Sequence, residues 1–597
     1  MAALFTTPKR NDKTSGAHFV EPDVRRRTLL AHGSWRRVTR RIVCGLACAL
    51  TVSSLLMPSV SLAAEWVDVG GVRHEAAAGP AGDAAGTWSW DGANDMKLNG
   101  YNGGAIEAKG KLNIAYEGKN TVKTEPDYTG AAIKAQDGTS QKAELNITSS
   151  NSTDELNVTA EADAIKSTGD LSISGPGTVN TTSTNADGIE AKGDLSITGS
   201  GTVNATGGTE GIQSKGKTTI DSSGTVIAKG NESYGISAGS DLIIKGGGKV
   251  EASSIEEAAI WAEDGNIDIS GGSQVEASSQ EDLAVDAEGS LTVTNASLNA
   301  SGVEYGIYGR KGITLDHATV TVRASTGGGW QTIALITDED DIVIKNGSIV
   351  DALAEGGFSA AIASRNYNPG ESGGHIYISD SAVKAIARYI ETGGGGPDHY
   401  SNDQDGEIDP GPQGLNIGIF AQSEKGITPA TISIVRSKVT AEGDTAAIFA
   451  LAMSADGKAI GTIEIEGSTI LTPEGGKVID YRNKEELSNG DIYEAGQTIG
   501  TGDATIDSPY DAAVAKSTVI VPPEEIKPEE KPGETKPEGS KSEGTKTTKT
   551  VAVATTGAKT TGKLAATGDA SSAAIVAAAL AGTAAIAAGA VVSRKRS

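Results

Sequence analysis

Large apolar side chains recur along the middle of this chain at a nearly fixed interval. Ile165, Ile189, Ile212, Ile236 and Ile260 are spaced 24, 23, 24 and 24 residues apart, and Val285 and Ile307 continue the series. Weaker copies start at Ile106, Ile133, Leu335, Ile362, Ile419 and Ile448, which makes about thirteen. Each copy holds three apolar anchor groups. The marker opens it, and a period-2 pair follows, as in Leu171/Ile173, Leu195/Ile197, Leu242/Ile244 and Leu291/Val293. The third anchor, about fourteen residues after the marker, is Val179, Val203, Val226, Val250, Val275, Leu298 or Val320. Alternating apolar and polar positions read as short strands, and the Gly, Asn, Asp and Ser between them read as turns. Three strands per copy make one coil of a three-faced solenoid, each strand pairing in parallel with its counterpart in the next coil. Helical spacing is absent here. A β-sandwich does not demand the same anchors every 24 residues, and a left-handed solenoid carries a strict hexapeptide period that this chain lacks. The expected fold is all-β, a right-handed parallel β-helix over 101–505, whose thirteen coils at about 4.8 Å make a rod of roughly 60 Å.

Composition agrees with stacking. Glycine is 78 of 597 residues and aromatics are 4%, too few large side chains for several compact cores. Segment 65–100 carries Trp66, Trp88 and Trp90, half of the six tryptophans, and is expected to cap the open N-terminal end of the solenoid. The other use of Trp88 and Trp90 is to stack on sugars. The long interval between Ile362 and Ile419 holds an insertion, 393–414, expected to form a lateral loop. Residues 506–563 hold the C-terminal edge and then a stretch rich in Pro, Glu, Lys and Thr. From 521 to 563 no apolar periodicity offsets chain entropy, so a disordered stalk is expected, reaching at most about 130 Å at roughly 3.1 Å per residue.

The two ends read as addresses. Arg36, Arg37, Arg40 and Arg41 precede an apolar run, 42–64, that closes on Ser61, Ala63 and Ala64, the pattern of an export signal cut after Ala63 or Ala64. Both the general and the twin-arginine export routes fit it. At the other end, Leu564-Ala565-Ala566-Thr567-Gly568 is followed by an apolar run, 573–592, and by Arg594-Lys595-Arg596. Twenty residues at about 1.5 Å each span a hydrocarbon core of about 30 Å as one transmembrane helix, and the basic tail stays cytoplasmic. This resembles the sorting signal of Gram-positive surface proteins, with the pentapeptide similar to the L-A-x-T-G variant of L-P-x-T-G. The resemblance implies that a sortase cuts between Thr567 and Gly568 and joins Thr567 to peptidoglycan, placing the protein at the cell wall.

Of the net charge of −26, residues 1–64 contribute +7 and 568–597 contribute +2, which leaves −35 on 65–567. Such a field repels nucleic acid and anionic lipid. Cys44 and Cys48 both lie in the export segment, so the exported chain has no disulfide, thiolate chemistry or cysteine metal site. His74, His317, His375 and His399 show no zinc-ligand spacing.

Register brings carboxylates together. Asp163, Asp187 and Glu210 each stand two residues before a marker on successive coils, and Asp170, Asp194 and Asp241 each stand five after one, with Lys217 between. Stacked charges about 4.8 Å apart repel, and calcium, taking about six to eight oxygens, relieves that. A solvated acidic face is the alternative. The repeat G-I-x-x-K-G-D-L-x-I-x-G-x-G-x-V, as it stands from Gly188 onward, resembles secreted bacterial β-helix proteins that bind carbohydrate and look like pectate lyases in fold. The resemblance covers 160–320 and implies binding of acidic plant polysaccharide with calcium. The family's D-D-G-I stands here as Ala186-Asp187-Gly188-Ile189. Pectate lyases use a basic residue, commonly arginine, beside calcium, and no arginine lies between Arg73 and Arg310. The expected function is non-catalytic polysaccharide binding. Adhesion to a host protein or a neighbouring cell, and a polysaccharide lyase or hydrolase, are the alternatives.

Overall fold

The thirteen markers form one continuous ladder. Ile106 pairs with Ile133, Ile133 with Ile165, and the series runs on through Ile189, Ile212, Ile236, Ile260, Val285, Ile307, Leu335, Ile362 and Ile419 to Ile448, all in parallel register. The computed structural model describes residues 63–523 apart from 140–141, 326–330, 358, 367–373, 391–415, 424–428, 454–460, 483–486 and 494–513. All of these fall within one compact unit, 1–527. The export segment before Ala63, the insertion 393–414, the stalk from 524 onward and the sorting signal 564–597 lie outside the described residues.

Each coil gives one strand to each of three sheets. The coil opened by Ile189 uses Ile189–Ala191, Leu195–Gly199 and Thr202–Gly207. We call the sheet of the first strands the marker sheet. The period-2 pairs stack in the second sheet, Leu171 on Leu195 and Ile173 on Ile197, and the third anchors stack in the third, Val179 on Val203 on Val226. Successive side chains of a strand point to opposite faces, so one set of every strand turns inward. Those inward side chains form one core from Ala64 to Ile520, with Ile165, Ile189, Ile212 and Ile236 fully buried. The protein is therefore all-β, with parallel strands stacked in three sheets, a pattern that fits a parallel β-helix. Where the second sheet carries Thr218 in place of leucine, its buried hydroxyl pairs with that of Ser214 at 2.7 Å, which satisfies both.

Pairing turns antiparallel at both ends of the stack. Trp66–Val69 runs antiparallel to Ile106–Lys109 and to Val72–Glu75, and Trp88–Trp90 runs antiparallel to Asp95–Asn99. Trp88 and Trp90 join the main core, and the Arg73 guanidinium lies 3.7 Å over the Trp66 ring. Ala64 is buried beside them, its amide donating to Asn94 Oδ1 at 3.2 Å. At the other end Leu487–Tyr493 runs antiparallel to Ala446–Met453, and Ser517–Val521 runs antiparallel to Lys438–Gly443, so sheet pairing continues beyond residue 505. Antiparallel strands at an open edge occupy the backbone groups that would otherwise template another chain. Among the described residues no helix is long and apolar enough to cross a membrane.

One feature differs from a simple alternation. In the last coils the marker sheet is buried on both faces. Ile333, Ile336, Ala360, Ala363, Ile417, Phe420, Ala446 and Phe449 form a second apolar cluster on its outer side, with Val514 packed against it and Phe420 stacked on Phe449 at 5.8 Å. A strand covered on both faces has no polar side, which is why Thr332–Thr337 and Ser359–Asn366 show little alternation.

Candidate functional site

The column five residues after the marker has a backbone task. Asp170 Oδ1 accepts the amide of Asp194 at 2.9 Å, and Asp194 Oδ1 accepts that of Lys217 at 2.9 Å. Farther along, Asp241 Oδ1 accepts from Asn266 at 2.9 Å, and Asn266 Oδ1 accepts from Ser290 at 2.9 Å. Each short side chain thus satisfies an amide of the next coil at a turn where the ladder is interrupted. Glycine precedes this position, at Gly193 before Asp194 and at Gly216 before Lys217, because a Cβ there would run into the carboxylate of the coil before. Asp170 and Asp194 are solvent-exposed.

The other expected column is buried. Asp163, Asp187 and Glu210 are each 8% exposed. Asp163 Oδ1 accepts the Asp187 amide at 3.3 Å, and Asp187 Oδ1 accepts the Glu210 amide at 3.1 Å. The Thr209 hydroxyl also donates to Asp187, and the Gln213 amide donates to Glu210. Glu190 joins them: one oxygen each of Asp163, Asp187 and Glu190 lies within 4.8 Å of the others. Lysines meet this charge. Lys166 Nζ sits 2.7 Å from Asp163 and also pairs with Glu190, which pairs in turn with Lys192. The two ammonium groups stand where a counter-cation is needed, so calcium here would have to displace Lys166. Glu210 has no lysine partner of this kind, and its Oε2 is buried with no hydrogen bond. Burial, and then the neighbouring Asp187, push its carboxyl up to about 7. Burial likewise raises Asp187, with the Thr209 hydroxyl and the Glu210 amide opposing.

A third feature follows from the marker strands themselves. Because the marker points inward, the next residue points outward. Those outward residues align in register as Lys166, Glu190, Gln213, Ser237, Trp261, Asp286 and Tyr308. From Lys166 and Glu190 the column thus passes through Gln213 and Ser237 to two aromatic residues, Trp261 and Tyr308, on either side of Asp286. Tyr234, two residues before its marker, stacks on Trp261 with centroids 4.4 Å apart and planes 20° from parallel. Asp286 lies between Trp261 and Tyr308 with one oxygen buried and without a hydrogen bond. Burial first, then Glu288 and Asp282, push its carboxyl up to about 7, and burial with Glu257 pushes Asp282 to about 6. At the far side the Tyr308 hydroxyl donates to Asp338 at 3.3 Å. Two arginines border the stripe, and both are engaged: Arg310 bonds Glu339 at 2.6 Å and Glu288 at 2.8 Å, and Arg365 bonds Asp338 at 3.0 Å. Half-buried rings flanked by carboxylates, on a rigid sheet, form a surface that can stack on the apolar face of a sugar while accepting bonds from its hydroxyls.

The structure places Asp163 beside Asp187, as their register implies, and adds Glu190 and the aromatic stripe, which the repeat pattern had not singled out. The signal was present: an aromatic residue one place after a marker is an outward aromatic. Comparison with protein-family models, with curated proteins and with solved structures finds no match to this chain.

Proposed function

We propose that this chain is an exported, cell-wall-linked surface protein whose repeat region is a right-handed parallel β-helix that binds a polysaccharide and does not cleave it. The observation that carries the binding is the Tyr234–Trp261 stack, continued on neighbouring coils by Asp286 and Tyr308. A polymer laid along the rod meets a similar coil about every 4.8 Å, so its repeats meet repeated outward positions. The resemblance of the repeat to carbohydrate-binding β-helix proteins supports the same reading. Non-cleavage is supported by Arg310 and Arg365, whose guanidinium groups are each committed to carboxylates rather than poised to take a proton from a substrate. The antiparallel strands with Trp66, Trp88 and Trp90 serve as the N-terminal cap. Trp261→Ala is expected to weaken glycan binding about tenfold, since stacking on an aromatic is worth on the order of 1–2 kcal/mol, and to lower the melting temperature by only a few degrees through loss of the Tyr234 stack. A polysaccharide panel, read by titration and by an assay for new reducing ends, checks this. Product formation moves the protein to the enzymes, and binding to a host protein with no glycan bound moves it to the adhesins.

Wall linkage rests on the sorting signal. Sortase takes the chain at Thr567 and joins it to peptidoglycan, with 524–563 as the stalk across the wall; the expected start at 521 moves later because Val521 still pairs in the third sheet. Thr567→Ala is expected to leave the protein in the membrane fraction. Fractionation after muramidase digestion reads this out, and undiminished wall linkage in the variant removes the proposal.

A further inference from the structure

The aromatic stripe lies in a strongly negative setting. Burial keeps the Tyr234 hydroxyl un-ionised, and the charges of Glu257, Glu210, Asp286 and Asp282 act on it in the same direction. Both bordering arginines are spent on Glu288, Glu339 and Asp338. An acidic sugar would therefore meet carboxylates and two cations that are already paired. A neutral sugar offers the Asp286 carboxylate, which has an unpartnered oxygen, only a hydroxyl donor, whereas an ammonium group also compensates its charge. A cation suits every element of the site: aromatic faces attract it, and a partly desolvated carboxylate beside them strengthens the attraction. A bare metal ion suits it less. Among the described residues the carboxylates that converge within 4.8 Å are Asp163, Asp187 and Glu190, not those of the stripe. Charge spread along stacked coils matches positive groups spread along a polymer.

We infer that the polysaccharide held by the Tyr234–Trp261–Asp286–Tyr308 stripe is a glycan with free amino groups, of the class that contains unacetylated hexosamine. The inference rests on the polysaccharide reading above. One sugar ring stacks on Trp261, and its ammonium group lies against Asp286. Calcium has no part in this contact.

The test is titration of the full chain with size-matched oligosaccharides: a glucosamine oligomer with free amines, its N-acetylated counterpart, and an oligogalacturonate, each with calcium and with chelator. The free-amine oligomer is expected to bind at least about tenfold more tightly than the acetylated one, the scale of one charge-assisted contact, and equally well with chelator. Asp286→Asn should abolish most of that preference while changing affinity for the acetylated oligomer by no more than about twofold, and Trp261→Ala should weaken both. Asp282→Asn should shift the preference the same way by less, and serves if the first variant does not fold. A preference that survives both Asp286→Asn and Trp261→Ala is only long-range attraction of a polycation to an acidic rod, and overturns the inference. Equal affinity for the two glucosamine oligomers, or tightest binding of the oligogalacturonate, also overturns it but leaves polysaccharide binding standing. Absence of binding to every sugar removes both.

Discussion

Ile212→Asp is expected to break the central coils of the stack. Ile212 is fully buried and lies in register between Ile189 and Ile236. Losing the isoleucine removes roughly 1.5–3 kcal/mol of burial. A carboxylate in its place has no inward partner and costs several kcal/mol more. In a solenoid each coil contacts mainly its neighbours, so the damage falls on the coils opened by Ile189, Ile212 and Ile236 rather than spreading evenly. The expected result is a lowered, broadened thermal transition and new protease cleavage between about 180 and 260. Ile212→Val, which keeps the shape, should cost only about 0.5–1.5 kcal/mol. Equal melting of the aspartate variant and the native chain would mean that this position is not inside the stack.

The protein is expected to be more stable in mild acid than in mild alkali. Glu210 titrates at about 7 in the fold against a reference of 4.5. Between those values the folded chain holds a proton that the unfolded chain has lost, so the free energy of unfolding falls as pH rises through that window. Below about 4.5 the effect vanishes, and above about 7 it is complete, at up to about 3 kcal/mol. Asp286 and Asp282, raised to about 7 and about 6, act in the same direction. Carboxyls lowered in the fold, Glu65 among them through its bond to Lys109, act in the opposite direction but only below about pH 4.5. The decisive quantity is therefore the difference between the native chain and Glu210→Gln. That variant keeps the acceptor and the shape, and should melt higher than the native chain at pH 8 but not at pH 5. The same gap at both pH values would mean that Glu210 does not titrate in this window.

Much of the architecture was legible along the chain because a stacked solenoid repeats its physics. An inward position is apolar in most coils, so the markers from Ile106 to Ile448 announced both the strands and their register. Even the interval of 57 residues between Ile362 and Ile419 was read correctly as one coil, and the two side chains are direct partners. Turn glycines and aspartates were legible too, although their use was not. Gly-Asp reads as a turn, whereas Asp170 and Asp194 also accept amides of the following coil.

The order of the strands, the inward face of each and the columns in which residues stand follow from the amino-acid sequence alone, because period-2 alternation and a 24-residue repeat leave one consistent register. Tertiary structure decided the rest. Calcium was the natural partner of Asp163 and Asp187 as long as only their own column was in view; Lys166 meets Asp163 within its own coil, but strand pairing brings Glu190 of the next coil, with Lys192 beside it, against the same ammonium group. The outer cluster of Phe420 and Phe449 depends on which face of the sheet is covered, which alternation cannot report. Tyr234 and Trp261 lie 27 residues apart in the chain, and only the turn that closes one coil over the next sets their rings parallel at 4.4 Å. Charge compensation, coverage and ring geometry are relations between coils, and they come into being only when the coils stack.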